Sequence, residues 1–387
     1  MSLNYLVPGS EVVLRKERIM ELDVLRGLAF LAVVLQHALG VYVRKADIQI
    51  ADAAMIGMLF NFTKFAVPAF VFATGTVLFY NYYEKLEYRK FIWKRTVEIF
   101  LPYLLWTGIY EIHYYGFPSI NSTWLREFGK NVMLGTESYH LWFIIMIFQF
   151  YLIYPVFLAL FKWVRVRVTT KTRFTFTLGT LILIYTLLMW FSSSYIPREN
   201  FHVNYKFIQL FFLDYRDRNF LYFSFYFILG GIAGLSIVKW REFVLKSVIW
   251  NSFLFPALFI WIGYELMRGA SGGQVNLNYS TTLKPSMFFY TVSEIILLYG
   301  FCITIVRSSS GIFKKLSFIG KFSYGAYLAH ALVLGYVIRG INRFMPSEHY
   351  LLASTIAFIL CAMVSVGITV LISRIPLGKL FIGPYGR

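Results

Sequence analysis

The sequence predicts an all-α, polytopic membrane protein with about ten transmembrane helices and both termini in the cytoplasm. Hydrophobic residues make up 58% of the 387 residues, charged residues only 14%, and the mean hydropathy is +0.62. Soluble domains are roughly half apolar and a quarter charged, so this chain is expected to reside in a membrane. The number of apolar runs and the distribution of basic residues between them then give the helices and their orientation.

The apolar runs predict the helices in order along the chain. They lie at 22–40, 53–80, 97–116, 139–161, 174–191, 219–238, 248–266, 285–306, 322–341 and 351–373. Each has at least the ~18 residues that a membrane-spanning helix needs. No run remains for a sizeable soluble domain, so we expect a single transmembrane domain over residues 1–387 with a short cytoplasmic segment at 1–20. That segment is polar and lacks the apolar core of a cleaved signal peptide.

The basic residues between the runs predict the orientation. Ten helices place both termini on one side, and the connectors on that side carry about twice as many Lys and Arg residues as those opposite. That side is therefore expected to be cytoplasmic. The longest connectors, near 117–138, 192–218 and 267–284, are then expected outside.

The strongly basic balance does not indicate a nucleic-acid partner. Lys and Arg number 37 against 19 Asp and Glu, a formal net charge of +18, but these basic residues flank apolar runs, where they orient helices and contact anionic lipid. The six histidines and two cysteines, Cys302 and Cys361, show no metal-ligand spacing. We therefore expect no metal site, and thiols that pack as small apolar groups.

The first predicted helix carries two ionisable residues, Arg26 and His37. Such residues are costly in hydrocarbon and usually functional. Eleven residues correspond to a rise of roughly 16 Å and bring both side chains to within roughly 20° of one helix face. We expect them to face one interior channel, with a cation near a membrane surface and an imidazole deeper. The alternatives are an arginine that only reaches the lipid headgroups and a histidine that only hydrogen-bonds between helices.

Six stretches resemble the acyltransferase-3 family, whose first helix carries an arginine or lysine, ten residues and then a histidine. In order, they are Leu22-Asp-Val-Leu-Arg26 through His37, Val67-Pro-Ala-Phe-Val-Phe-Ala-Thr-Gly75, Phe91-Ile-Trp-Lys-Arg95 through Tyr103, Tyr139-His-Leu-Trp-Phe143, Tyr226-Phe-Ile-Leu-Gly-Gly231 and Ile319 through Ser323-Tyr-Gly-Ala-Tyr-Leu-Ala-His330. Together these stretches span essentially the whole chain. The resemblance implies a membrane-bound, acyl-CoA-dependent O-acyltransferase in a bacterial plasma membrane.

The family's mechanism, carried over to matching positions, assigns roles to several residues. Arg26, Arg95 and Lys94 would bind the phosphates of acyl-CoA, which is a substrate and not a bound cofactor. His37 would deprotonate the acceptor hydroxyl or briefly carry the acyl group. The acceptor implied is a cell-surface or lipid-linked carbohydrate, and O-acetylation is the expected reaction.

Three features depart from the family pattern. Thr74 stands where a serine is usual, and Glu98 stands where a second arginine often follows Arg95. The glutamate at position 98 would weaken a phosphate-binding site built on two arginines, unless Lys94 takes the place of the second arginine. Some members also add an extracytoplasmic hydrolase-like domain, which we do not expect here, so an acyl relay would need an extracytoplasmic partner protein.

Further candidates are less specific. Tyr139, His140 and Trp142 are expected to line the acyl or sugar site, or to form part of an interfacial aromatic belt. Tyr324 and His330, six residues apart, would face different directions, and each is a candidate for the site. Glu294 could orient His37 or hold a proton, or form an interhelical hydrogen bond. Glu111 and His113 could contact the acceptor. The candidate catalytic residues are thus His37 and Glu294, and the candidate donor-binding residues are Arg26, Arg95 and Lys94. The candidate substrate-binding residues are Trp142, Tyr139, His140, Tyr324 and His330.

Two other functions remain open from the sequence. A membrane exporter of an acyl group or small metabolite is one, although the runs show no pair of interrupted helices of the kind typical of inverted-repeat transporters. The other is an accessory subunit of polysaccharide synthesis, in which Arg26 and His37 would be structural.

Overall fold

The computed structural model describes residues 16–45, 47–270, 275–345 and 349–384. Most of the predicted N-terminal segment 1–20, part of the predicted outer connector 267–284 and the C-terminal Arg387 lie outside these ranges. Within them every regular element is helical, which confirms the all-α prediction. The main helices are α1 Met20–Tyr42, α2 Ile50–Phe62, α3 Ala66–Tyr82, α4 Tyr88–Arg95, α5 Leu101–Tyr115, α6 Ser122–Leu134, α7 Trp142–Arg167, α8 Lys171–Trp190, α9 Ser224–Leu235, α10 Ile237–Arg268, α11 Pro285–Ser308, α12 Gly311–Phe344 and α13 Tyr350–Ser373.

In the described part of the chain, seven helical segments are long and apolar enough to cross a membrane. They are Met20–Tyr42, Ile50–Tyr82, Trp142–Arg167, Lys171–Arg198, Ile237–Arg268, Pro285–Ser308 and Tyr350–Ser373. The protein is therefore a multi-pass membrane protein. The three other predicted spans correspond to the α4–α5 segment, to α9, which has only 12 residues, and to α12. The total of ten spans and the orientation remain predictions.

Proline alters the helix geometry in two of the predicted spans. Pro68 has no N–H for the carbonyl of Lys64, and the helix breaks at residues 63–65, between α2 and α3. Pro102 likewise cannot bond the carbonyl of Glu98, and the turn at Thr96–Phe100 widens to a π-helix that joins α4 to α5. Both features lie inside runs that the sequence predicts as single spans, and Ile50–Tyr82 remains long and apolar enough to cross a membrane.

Helices α1 and α12 touch through their backbones at one pair of glycines. A Cβ atom on Gly320 would lie 1.9 Å from the carbonyl oxygen of Asp23, and one on Gly27 would lie 2.3 Å from that of Leu316. Only glycine permits such an approach, which is a common device where helices pack inside a bilayer. The contact holds the Arg26 end of α1 directly against α12.

A second glycine contact joins α3 to α9. A Cβ atom on Gly230 would lie 2.1 Å from the carbonyl oxygen of Phe72, and one on Gly234 would lie 2.4 Å from that of Thr76. The two glycines are four residues apart, which places them on one face of α9 as in the small-xxx-small pattern of membrane helices. The contact fixes α3, which forms one wall of the site described below.

Helix α1 lies in the interior of the bundle, packed against α3, α11, α12 and α13. Arg26 and His37 therefore face protein and not lipid. By contrast, the membrane-crossing windows that contain α8 and α10 are only 11% buried, so these helices lie at the periphery.

We predict that Gly320→Ala destabilises the protein by about 1–3 kcal/mol, because the added methyl group overlaps the backbone of α1. The matched control is Gly335→Ala on the same helix, where an added Cβ meets nothing within 4 Å. Thermal unfolding of the two purified variants in detergent measures the difference. Equal melting temperatures would show that the helices do not depend on this contact.

Candidate active site

A cavity of about 910 Å³ lies between α1, α3, the α4–α5 segment, α7 and α12. Its mouth lies at the start of α1, on the predicted cytoplasmic side. Six basic and three acidic side chains line it: Lys16, Arg18, Arg26, Lys94, Arg95 and Lys321, with Glu17, Asp23 and Glu98. A concave site of this size with excess positive charge suits a large anionic ligand.

Arg26 is held at the wall of the cavity by Asp23. Its Nη1 atom lies 3.8 Å from Asp23 Oδ1, and the other carboxylate oxygen accepts a 2.7 Å hydrogen bond from Arg18 Nε. The carboxylate is 5% exposed, whereas the Arg26 side chain is 32% exposed because it borders the cavity. One buried carboxylate thus orients two guanidinium groups, which are well suited to phosphate oxygens.

Arg95 is held by a carboxylate and by aromatic rings. Its Nη1 atom lies 3.3 Å from Glu98 Oε2, and Nη2 donates to the Tyr82 hydroxyl at 3.4 Å. The guanidinium lies 5.3 Å from the ring centroid of Tyr151 and 5.4 Å from that of Phe91. Glu98, which stands where the family often has a second arginine, is therefore a partner that positions Arg95. Sequence-predicted Arg26, Arg95 and Lys94 all reach the same cavity.

An aromatic layer closes the deep end of the cavity. It consists of Phe143 on α7 and Tyr327 on α12, whose ring centroids lie 5.4 Å apart. Tyr327 is 4% exposed, and its hydroxyl donates to the backbone carbonyl of His140. On the far side of its ring lie His140 and His330, each 5.3 Å away between centroids.

Three histidines from separate parts of the sequence form a cluster behind this layer. The rings of His37 and His330 stack at 5.3 Å with an interplanar angle of 26°, and His140 meets His330 edge-on at 4.7 Å. His140 and His330 are 1% and 0% exposed. Tyr139 lies 4.6 Å from the His37 ring and is 51% exposed. None of these four residues lines the cavity, and the exposed edge of the cluster is on the predicted outer side.

The structure thus brings together His37, Tyr139, His140 and His330, four of the residues that the sequence singled out. Tyr324 lies elsewhere, as its six-residue spacing from His330 predicted: it lines the cavity, and its hydroxyl donates to the carbonyl of Ile99 at 2.6 Å. The ring of Trp142 packs 6.1 Å from that of Phe223 and 6.4 Å from that of Phe143 in the aromatic layer. A place for Trp142 at the acyl or sugar site stays a prediction.

Glu294 has no hydrogen bond to His37 among the described residues, so its proposed role in orienting the imidazole stays a prediction. It is 1% exposed on α11, and neither of its carboxylate oxygens has a hydrogen-bond partner in the described part of the chain. Tyr290, one helical turn earlier, stacks on Phe255 of α10 at 5.4 Å. Since residues 290 and 294 share a helix face, Glu294 lies on the α10 side of α11.

A pair of carboxyl groups lies near the outer edge of the cluster: Glu111 in α5 and Glu137, two residues before Tyr139. Glu111 Oε1 accepts a hydrogen bond from Trp124 Nε1 at 3.0 Å, and Glu137 Oε2 accepts one from Asn131 Nδ2 at 3.0 Å. Burial, together with the neighbouring Glu111, raises the pKa of Glu137 to about 7. His113, proposed with Glu111, packs 5.6 Å from the ring of Tyr336. Sequence reasoning missed Glu137 because only the fold places it beside Glu111.

Lys64 is a second residue that the sequence analysis missed. It lies in the break between α2 and α3, and its amine is 4.4 Å from the ring centroid of Phe60. The neighbouring Thr63 hydroxyl donates to Gln36 Oε1 at 3.5 Å, next to His37 in α1. The break that carries Lys64 therefore lies against the α1 segment that carries His37. A lysine inside an apolar run was a visible signal, of the same kind that singled out Arg26.

Comparison with known proteins gives a consistent family. The acyltransferase-3 family model, described as an acyltransferase domain, matches residues 19–374. The chain is 23% identical over 351 residues to a Staphylococcus aureus (strain MSSA476) protein named "Probable poly-beta-1,6-N-acetyl-D-glucosamine export protein", covering 90% of this chain and 91% of that protein. It is 23% identical over 379 residues to the "Putative membrane-bound acyltransferase YfiQ" of Bacillus subtilis (strain 168), covering 95% and 94%. No solved structure matches the chain.

We predict that Glu137 makes stability depend on pH. Its raised pKa means that the folded protein retains a proton that the unfolded chain would lose. The resulting stabilisation is full below the ordinary glutamate pKa and is lost as pH rises through about 7. Thermal unfolding between pH 5.5 and 8.5 should show a loss on the order of 1 kcal/mol, and Glu137→Gln should abolish it. The control Glu127→Gln, at an exposed carboxylate paired with Lys130, should retain the pH dependence.

Proposed function

Because the chain belongs to the acyltransferase-3 family, we propose that this membrane acyltransferase moves an acyl group, in the first instance acetyl, from cytoplasmic acyl-CoA to a hydroxyl of a cell-surface or lipid-linked carbohydrate. The observation that carries the proposal is the path through the bundle. A basic cavity on one side leads to an aromatic layer, and a histidine cluster lies directly behind that layer. A carrier bound on one side would thus present its reactive end to a group that is reached from the other.

The charges of the cavity support acyl-CoA as the donor. The phosphates of CoA are anionic, and planar guanidinium groups form forked hydrogen bonds with phosphate oxygens. Arg26 and Arg95 are both pre-oriented by carboxylates, Asp23 and Glu98, so little side-chain freedom would be lost on binding. Lys94 adds a third cation to the same wall.

The distances support passage of the pantetheine arm towards His37. Arg26 and His37 are separated by a rise of roughly 16 Å along α1, and the cavity already covers the part of that path that ends at Phe143 and Tyr327. The two rings must move aside for the thioester to reach His37. A closed layer of this kind would keep water away from the thioester until an acyl-CoA molecule is bound.

At the cluster, an imidazole can act in two ways. His37 can deprotonate the acceptor hydroxyl as a general base or attack the thioester as a nucleophile. Lys64 lies in the segment packed against this part of α1, and its protonated form would stabilise the negative charge that develops on the carbonyl oxygen in either mechanism. Exposed Tyr139 at the outer edge of the cluster offers an aromatic surface to an incoming acceptor.

The relatives support a carbohydrate acceptor. One is named for export of a poly-N-acetylglucosamine and another for membrane-bound acyl transfer. An acyl group transferred to the polymer during or after export would connect the two names. The export name of the Staphylococcus aureus relative also favours a second candidate function, in which this chain moves a glycan. The interrupted α2–α3 segment is a feature found in transporters.

We predict that His37→Ala lowers acyl transfer at least about 100-fold, because it removes the only imidazole in the cluster with an exposed edge. The assay uses membrane vesicles from cells that express the protein. The glycans of these membranes serve as acceptor, and radiolabelled acetyl-CoA is the donor. His202→Ala, at an exposed position with no role in the site, is the control. Full activity of the His37 variant would refute the proposal.

We predict that Arg26→Gln and Arg95→Gln each raise KM for acetyl-CoA about tenfold, since each removes one charge-assisted phosphate contact. The control is Lys239→Gln, an exposed basic residue on the same predicted side. Steady-state kinetics in vesicles at two salt concentrations give KM and its salt dependence. Unchanged KM values would instead point to an accessory subunit in which these arginines are structural.

Mass spectrometry of surface glycans separates acyl transfer from export. Cells without this protein should display a glycan that lacks one acyl mass per modified sugar, and a His37→Ala strain should show the same spectrum. If the His37→Ala strain loses the surface polymer entirely, transport of the glycan is the better description.

A further inference from the structure

The hydrogen bond made by His330 fixes which of its ring nitrogens carries a proton. Nδ1 lies 2.5 Å from the backbone carbonyl oxygen of Tyr327. A carbonyl oxygen can only accept, so Nδ1 is the donor, and the acceptor lone pair of the neutral ring is on Nε2. Burial of the whole side chain, which is 0% exposed, keeps the ring in this orientation.

The Nε2 atom of His330 is buried and has no hydrogen-bond partner among the described residues. A buried acceptor without a donor costs about 1–3 kcal/mol, and such groups are usually satisfied by a ligand or water or serve in catalysis. His330 stacks on His37 at 5.3 Å, so a hydroxyl group that donates to Nε2 at the edge of the His330 ring would also be close to the edge of the His37 ring.

The surrounding residues hold this arrangement rigidly. Tyr327 accepts from His330 through its carbonyl and donates to the His140 carbonyl through its hydroxyl, so one residue connects both buried histidines. His140 packs edge-on against His330 at 4.7 Å and blocks rotation of the ring. His37, by contrast, keeps an exposed edge beside Tyr139. The two stacked imidazoles are thus unequal: one is a fixed acceptor and the other is accessible.

We propose that the two rings divide the reaction, with His37 carrying the acyl group and His330 acting as the general base for the acceptor hydroxyl. This inference rests on the acyl transfer proposed above and assigns His330 a catalytic place in it. It also explains why His37, the histidine of the family's first-helix motif, stacks on His330, whose Nε2 atom has no hydrogen-bond donor among the described residues.

Two balanced steps follow. In the first, a ring nitrogen of neutral His37 attacks the thioester carbonyl and the C–S bond breaks. The thiolate takes the proton released by the other His37 nitrogen, which leaves free CoA thiol and a neutral acyl-imidazole. In the second step, His330 Nε2 takes the proton of the acceptor hydroxyl while the oxygen of that hydroxyl attacks the acyl carbon. The C–N bond breaks, and the departing His37 nitrogen is reprotonated from His330.

The test uses His330→Asn, because the asparagine Nδ2 can keep the hydrogen bond to the Tyr327 carbonyl while the Nε2 acceptor is lost. Purified protein is mixed with radiolabelled acetyl-CoA without acceptor, and thiol release and protein-bound label are measured. Transfer is measured separately in the vesicle assay. We expect His330→Asn to release about one equivalent of thiol and to hold label that hydroxylamine removes, while transfer falls at least about 100-fold. His37→Ala should show neither, and His202→Asn should behave as wild type.

Three results would overturn the division of roles. Transfer at the wild-type rate by His330→Asn would show that Nε2 is not the base. Loss of both labelling and transfer in a variant with an unchanged melting temperature would give His330 another role. Transfer by the wild type with no label trapped in His330→Asn would exclude an acyl carrier. If the wild type itself transfers no acetyl group, the proposed function fails, which is a distinct outcome.

Discussion

The site depends on the backbone contact between α1 and α12 at Gly27 and Gly320. Each glycine lies against the carbonyl one turn earlier on the partner helix, so the two helices run in the same direction and in register. His37 follows Gly27 by ten residues, and His330 follows Gly320 by ten. Two parallel helices with equal offsets bring these residues to the same depth, about 15 Å from the contact, which is where the rings stack. The glycine pair therefore sets the geometry of the histidines.

The bundle separates two kinds of chemistry along one axis. Guanidinium groups paired with buried carboxylates lie at the wide, charged end, where a ligand can exchange its hydration for fixed hydrogen bonds. The imidazoles lie beyond the aromatic layer, where two of them are almost fully buried and fixed charges act more strongly. Ionisable groups are costly in a membrane interior. Here Arg26 pairs with Asp23, Arg95 lies over aromatic rings, and His37 packs against Tyr139.

Sequence reasoning found the residues whose signal is local. Arg26 and His37 stand out because ionisable residues are rare in apolar runs, and the helical period alone places them on one face. Proline also carries a local signal, since the break before Pro68 and the π-turn before Pro102 follow from its missing N–H. Glu294 and Trp142 show the limit, because the sequence marks a polar or aromatic residue in an apolar run but does not predict which neighbouring helix it contacts. Glu294 lies on the α10 side of α11, one turn after Tyr290, and Trp142 packs against Phe223.

The sequence by itself determined the all-α membrane class, the approximate positions of the helices, the family, and the arginine and histidine of the first helix, because composition, hydrophobic period and short motifs are properties of neighbouring residues. Only the tertiary structure decided that His140 and His330 join His37, that Tyr327 separates them from the cavity, and that Glu137 lies beside Glu111. These contacts join residues tens to hundreds of positions apart. They follow from how closely helix backbones can approach, as the contact at Gly27 and Gly320 shows, and no local pattern encodes that approach.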